Sequence, residues 1–119
     1  MSNCIFCNII KKEAPAQITF ENDLVLAILP LDQVSKGHTL VIPRNHFENI
    51  FDVDDSVLRE VISVTKELSC HLLNETGATG VNILNASGKD AQQSVNHLHF
   101  HVVPRFPNDG LDMWIKQGL

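Results

Sequence analysis

Positive charge is in short supply in this sequence: nine Lys and Arg stand against 14 Asp and Glu over 119 residues, a formal net charge of -5. A protein that coats nucleic acid through its phosphates needs a basic stripe, so that class of partner is excluded. A free nucleotide is not excluded, because its charge can be met locally by imidazoles and backbone amides. No apolar run reaches the length of a membrane span. The opening Met-Ser-Asn-Cys-Ile-Phe-Cys has neither a basic leader nor the apolar stretch of a secretion signal. The expectation is a cytoplasmic protein with no membrane partner. Cysteine is scarce too, and three cysteines in such a chain make no disulfide framework. Their use is expected to be metal binding, packing or redox chemistry. Internal repeats, low-complexity tracts and linkers are absent, and the length suits one domain over residues 1–119.

What is present reads as alternating short elements. From Ile5 to Lys12, apolar side chains at Ile5, Phe6, Ile9 and Ile10 have helical spacing, in a run that fades before Pro15. Two extended runs, Ile18–Phe20 and Leu24–Leu29, flank the turn residues Glu21-Asn22-Asp23 and predict a hairpin. After a loop ending in Lys36-Gly37, Thr39–Ile42 is a strand that Pro43 ends. From about Asp55 to Glu75, Val57, Leu58, Val61, Ile62, Val64, Leu68 and Leu72 recur near a 3.6 period, a long amphipathic helix. Asp52 and Asp54 are candidate caps, and Gly77 is the stop. Gly80–Leu84 and Leu98–Val103 read as strands around a polar loop. Strands outnumber helices and the connections are short, so the fold class is α+β with a mainly antiparallel sheet.

The histidines carry the chemistry. His97-Leu98-His99-Phe100-His101-Val102-Val103 alternates imidazole with apolar side chains. On extended backbone this period of two puts three imidazoles on one face and Leu98, Phe100 and Val102 on the core face. Three imidazoles could build a zinc site, or one could attack phosphorus as a nucleophile and leave again. Gln93-Ser94, just upstream, adds an amide and a hydroxyl suited to a phosphoryl oxygen and a leaving group, which favours the nucleophile.

The stretch from Gln93 to Val103 resembles the signature of the histidine triad nucleotide-binding family. Gly37-His38-Thr39-Leu40-Val41-Ile42-Pro43-Arg44-Asn45-His46 is similar to the family's upstream block, and Cys4-Ile5-Phe6-Cys7-Asn8-Ile9-Ile10 to its amino-terminal one. The resemblance runs from about residue 4 to Arg105. It implies a compact protomer with a five-stranded antiparallel sheet, one long and one short helix, and pairing as a homodimer. It implies a nucleotide phosphoramidase or nucleotidyl hydrolase acting on the α-phosphate of purine nucleotide conjugates. The alternatives are a dinucleoside polyphosphate hydrolase and a nucleotide-binding interaction module with little turnover. By the same resemblance His99 is the nucleophile, His101 and His38 hold phosphate oxygens, Ser94 protonates the leaving group and Gln93 steadies the phosphate. Ile5, Phe6, Ile9, Ile28, Leu29, Leu31 and Leu40 are the expected walls for base and ribose, with Asn85 reaching the phosphate region.

Two positions depart from the family pattern. Pro30 stands eight residues before His38, where the family commonly carries an Asp that bonds the ribose hydroxyls; Asp32 is the nearby carboxylate. Gln92 precedes Gln93 where Gly is frequent. For Cys4-x-x-Cys7, spacing alone fits zinc or redox chemistry, and the βαβ pattern of a redox pair is missing. The resemblance supplies two more ligands, His46 and His97, for a structural zinc site of two Cys and two His. Cys70, in the long helix, is expected to pack as an apolar residue.

Overall fold

The structure is a computed structural model and describes residues 2–116. Its five strands form one antiparallel sheet in the order β1-β2-β3-β5-β4. They are β1 (Gln17–Glu21), β2 (Val25–Leu29), β3 (Thr39–Pro43), β4 (Gly80–Leu84) and β5 (Phe100–Arg105). A short helix α1 (Ile5–Ile10) precedes them, a long helix α2 (Asp55–Thr76) joins β3 to β4, and a 3-10 turn at Lys89–Ala91 lies between β4 and β5. The α+β class with one short and one long helix is as the sequence predicts.

Side-chain alternation divides the core into two layers. Val25, Val41, Phe100 and Val102 face α2 and pack on Val57, Val61 and Val64. Leu26, Ile28, Leu40 and Ile42 face the other way, onto Phe6 and Ile9 of α1. The central strands are therefore apolar on both faces, and each fully buried aliphatic side chain contributes roughly 1.5–3 kcal/mol. No helix of the described residues is long and apolar enough to cross a membrane.

Local chemistry sets the element ends. Asn22 Oδ1 accepts from the amides of Leu24 and Val25 at 2.9 and 2.8 Å, which closes the β1–β2 turn. Gly77 ends α2 with φ 78°, and Asp54 is its N-cap residue. Asp52 is not a helix cap: its carboxylate accepts from the amides of Glu48 and Asn49 at 3.0 and 2.9 Å and holds the preceding loop. At Gly37, with φ 89°, a Cβ would meet Leu72 and Thr76 of α2 at 3.1 and 3.2 Å, so β3 and His38 start close against the helix.

Three element readings change. β5 starts at Phe100, because the Leu98 amide donates to the Phe47 carbonyl at 2.7 Å instead of joining a ladder. It continues to Arg105, which pairs with Gly80. The segment from His97 to His99 is thus outside the strand, although its side chains still alternate as expected. α1 ends at Ile10, and Lys12 takes φ 63° in the turn that follows. Cys70 is exposed on α2 instead of packed.

Candidate functional site

His99 is buried beside the sheet, with Phe6 of α1 edge-on to its ring at a centroid distance of 5.3 Å. Its Nδ1 lies 2.8 Å from the main-chain carbonyl of His97. A carbonyl can only accept, so Nδ1 carries the proton and Nε2 of the neutral ring keeps its lone pair. Burial pushes the His99 pKa below that of a free imidazole, which favours this neutral form.

A second chain of bonds fixes its neighbours. The amide of Val34 donates to His38 Nδ1 at 3.2 Å, so His38 in its neutral form is protonated on Nε2. That Nε2 stands 2.9 Å from His101 Nδ1 and donates to it. His101 is left with its proton on Nε2, a donor next to the His99 ring, whose centroid is 5.2 Å away. Burial, then repulsion from His99 and His38, pulls the His101 pKa down to about 4, and burial also lowers that of His38. The site therefore sets one imidazole lone pair beside one imidazole N–H while all three rings stay neutral at pH 7.

His38, His99 and His101 line a cavity of about 580 Å³. Ile5, Phe6, Ile9, Ile28, Leu29, Leu31 and Leu40 are all on its wall, and so is Ser94. Leu31 is fully exposed and Ile5 nearly half so, apolar surface of the kind a ligand covers. Pro30 and Asp32 line the same cavity. Sequence reasoning missed Pro15, Ala16, Gln17, Gln33 and Val95, also lining it; only their neighbourhood to α1 and the triad could have hinted at them.

Asn85 and Gln93 are placed differently, and neither is among the lining residues. Asn85 Nδ2 donates to the carbonyl of His99 at 3.0 Å. The Gln93 amide is spent on the surrounding loops: Nε2 donates to the carbonyls of Glu48 and Val95 at 2.6 and 2.9 Å, and Oε1 accepts from the Gly88 amide at 2.8 Å and from Asn49 Nδ2 at 3.5 Å. Both side chains fix the loop that carries Ser94. Gln92 adopts φ 70° and ψ 33°, so this loop keeps a left-handed residue where the family often has glycine.

Cys4, Cys7, His46 and His97 converge at the amino end of α1, their donor atoms all within 4.8 Å of one another. His97 Nδ1 is 3.3 Å from Cys4 Sγ and 3.5 Å from Cys7 Sγ, and His46 Nδ1 is 3.3 Å from Cys7 Sγ. Four such donors around a tetrahedral zinc ion stand about 3.5 Å apart, so the set fits that ion. Burial and the neighbouring Cys4 raise the Cys7 pKa, so the pair resists full ionisation unless a cation joins it. His97 Nε2 donates to the Pro43 carbonyl at 2.9 Å, which turns the Nδ1 lone pair toward the cysteines. Phe6, between the two cysteines, also packs edge-on against the His97 ring at 5.7 Å.

A sequence profile of the HIT domain matches residues 11–108, so α1 and the Cys4–Cys7 pair precede the matched region. The chain is 47% identical over 112 residues to an uncharacterized HIT-like protein of Borreliella burgdorferi, covering 92% of this chain and 81% of that one. It is 35% identical over 107 residues to the adenosine 5′-monophosphoramidase hnt1 of Schizosaccharomyces pombe, covering 90% and 77%. A solved zinc-bound histidine triad family protein from Mycobacterium smegmatis is similar with a TM-score of 0.89 at 33% identity, over 98% of this chain and 84% of that chain.

Proposed function

The chain belongs to the HIT-domain family, and from that premise we propose that it is a nucleotide phosphoramidase or nucleotidyl hydrolase. It cleaves the α-phosphate bond of purine nucleotide conjugates through a covalent nucleotidyl-histidine. The observation that carries the reading is the 2.8 Å bond from His99 Nδ1 to the His97 carbonyl, which leaves a nucleophilic Nε2 in a cavity of nucleotide size. The named activity of the S. pombe relative supports it.

The lone pair of His99 Nε2 attacks the α-phosphorus, and the bond from phosphorus to the leaving nitrogen or oxygen breaks. The electron pair departs with the leaving atom, which takes a proton from Ser94 Oγ. Water then attacks phosphorus, breaks the bond to Nε2 and releases a nucleoside monophosphate; a proton from that water restores the Ser94 hydroxyl. His101 Nε2–H, held by His38, donates to a phosphoryl oxygen as charge builds on it. Ile5, Phe6, Ile9, Ile28, Leu29, Leu31 and Leu40 hold base and ribose. Gln93 and Asn85 act by fixing the loop around the phosphate rather than by long reach.

Cys4, Cys7, His46 and His97 hold a structural zinc ion in this reading. Reduced thiols as ligands suit the cytoplasm. The chain pairs as a homodimer, a reading that the outer position of β4 with its exposed Ile83, and the exposed Ile62 of α2, support. The enzyme reading is tested with His99→Asn and adenosine 5′-phosphoramidate. Turnover should fall by roughly a thousandfold or more while adenosine monophosphate still binds within a fewfold. Near-normal turnover in that variant contradicts the mechanism.

A further inference from the structure

The chain enters β3 through a turn built around His38. The Ser35 carbonyl accepts from the His38 amide at 3.1 Å and closes four residues, Ser35 to His38. Gly37, third in the turn, has φ 89°, a conformation that calls for glycine at that place. Thr39 Oγ1 donates to the Gly37 carbonyl at 2.8 Å. Val34, one residue before the turn, supplies the amide that donates to His38 Nδ1 at 3.2 Å.

Ser35 fastens this turn to the sheet. Its Oγ donates to the main-chain carbonyl of Pro104 at 2.8 Å. β3 pairs with β5 no further than Thr39 with Val102, so Pro104 lies two residues past the end of that ladder. Among the described residues this is the one hydrogen bond from residues 30–37 to a strand other than β3. Pro104 is fully buried, and a Cβ on Gly37 would meet its ring at 3.4 Å, so the acceptor is held firmly under the turn. The bonds close on themselves: Pro104 carbonyl to Ser35, along the chain to Val34, then to His38 Nδ1, and from His38 Nε2 to His101 Nδ1. His101 is on β5, three residues before Pro104, so both ends of the ring rest on one strand. Ser35 does not line the cavity of the three histidines, and nothing brings its hydroxyl to a substrate there.

We propose that Ser35 is a positioning residue for the reaction: its bond to Pro104 holds the Val34 amide on His38 Nδ1 and so keeps the His101 N–H aimed at the phosphoryl oxygen. The proposal rests on the nucleotidyl-transfer reading above and adds to it a residue that touches no substrate. Without the hydroxyl, the turn keeps its own closing bond but loses its fixed distance from β5. The Val34 amide then drifts from His38, and a small misplacement of a ring next to the reacting atoms is costly in rate.

The test compares the wild type with Ser35→Ala and Ser35→Thr on adenosine 5′-phosphoramidate, together with nitrogen-15 spectra of the histidine rings. In Ser35→Ala, kcat should fall about tenfold while KM stays within about threefold, because the hydroxyl does not face the cavity. His38 Nδ1 should show the shift of a hydrogen-bonded acceptor in the wild type and in Ser35→Thr, and lose it in Ser35→Ala. Ser35→Thr keeps the hydroxyl and should recover most of the rate. Ser35→Cys, close in size to serine but a weak donor, should behave as Ser35→Ala and replaces it if that variant does not fold. A residue that only packs would lower Tm and leave the His38 signal in place. Full kcat in the Ala or Cys variant, or a loss of kcat with His38 Nδ1 still bonded, overturns the proposal. Turnover by the wild type separates the two readings: with it intact, such a result removes only the Ser35 assignment, and without it both fall.

Discussion

The imidazole of His99 hangs from the backbone of His97: its Nδ1 donates to the His97 carbonyl at 2.8 Å, while the His97 ring itself faces Cys4 and Cys7 at 3.3 and 3.5 Å. One residue thus serves two sites, its carbonyl setting the tautomer of the nucleophile and its side chain closing the Cys/His cluster. Phe6 packs against both rings and ties the two sites a second time.

The Val34–His38–His101 chain predicts that His38 matters through His101. In His38→Ala, His101 Nδ1 loses its donor, and the ring is free to present a lone pair instead of N–H toward the phosphate. kcat should fall by about ten- to a hundredfold with little change in the affinity for adenosine monophosphate. His38→Gln, whose side-chain amide can donate in the same direction, should recover part of the loss. Equal losses in the two variants would show that His38 acts by packing alone.

Metal removal should cost stability first. Cys4 caps, and Cys7 sits within the first turn of, a helix of six residues, Ile5–Ile10, too short to persist without tertiary anchoring. Stripping zinc, or Cys7→Ser, should lower Tm by roughly 5–10 °C, as expected for about 1–2 kcal/mol in a domain of this size. Elemental analysis of protein made without a metal-binding tag should find about one zinc per chain. Absence of bound metal with both cysteines reduced would refute the assignment.

Acid should destabilise the fold through its buried imidazoles. The folded-state pKa of His101 is about 4, against an ordinary 6.5. Above pH 6.5 neither the folded nor the unfolded chain protonates this ring, and its contribution is intact. Between 6.5 and about 4 the unfolded chain takes up a proton that the folded one refuses, so stability falls as pH falls. Urea unfolding at pH 7.5, 6 and 5 should show this decline, and His101→Asn should make it shallower. Identical slopes in the two proteins would contradict burial as the cause; both carry the same metal ligands, so loss of metal in acid does not mask the difference.

Pro30 has no acceptor side chain where the family commonly places a ribose-binding carboxylate, and it lines the cavity. Ribose over deoxyribose preference should therefore be modest, roughly tenfold or less, the size of one weak neutral contact. Asp32, on the same wall, is the residue that could restore it. Matched adenosine and 2′-deoxyadenosine phosphoramidates, assayed on the wild type and Asp32→Ala, decide the matter. A large preference lost in Asp32→Ala would show that Asp32 has taken the role.

Much of this arrangement could be read from residue order, for a physical reason. The period-two pattern from His97 to Val103 specifies opposite faces whether or not a ladder forms, and the faces are as predicted even though β5 begins only at Phe100. The α2 pattern likewise names Val57, Val61 and Val64, all buried. Element ends were less legible, because they depend on where single amides go: Leu98 to Phe47, and Glu48 and Asn49 to Asp52. The tautomers were not legible at all, since the Pro43 and His97 carbonyls and the Val34 amide look alike in any sequence. Cys70 shows the limit of composition, being apolar in type but exposed in place.

The central claim is that His99 Nε2 becomes covalently nucleotidylated. Rapid mixing of the chain with adenosine 5′-phosphoramidate, quenching under conditions that preserve a phosphorus–nitrogen bond, and peptide mass spectrometry test it directly. The account predicts an adenylyl adduct within one turnover, located on His99, absent from His99→Asn and lost on chase with water. An adduct on another residue, or turnover by wild type with no adduct at any quench time, would contradict it.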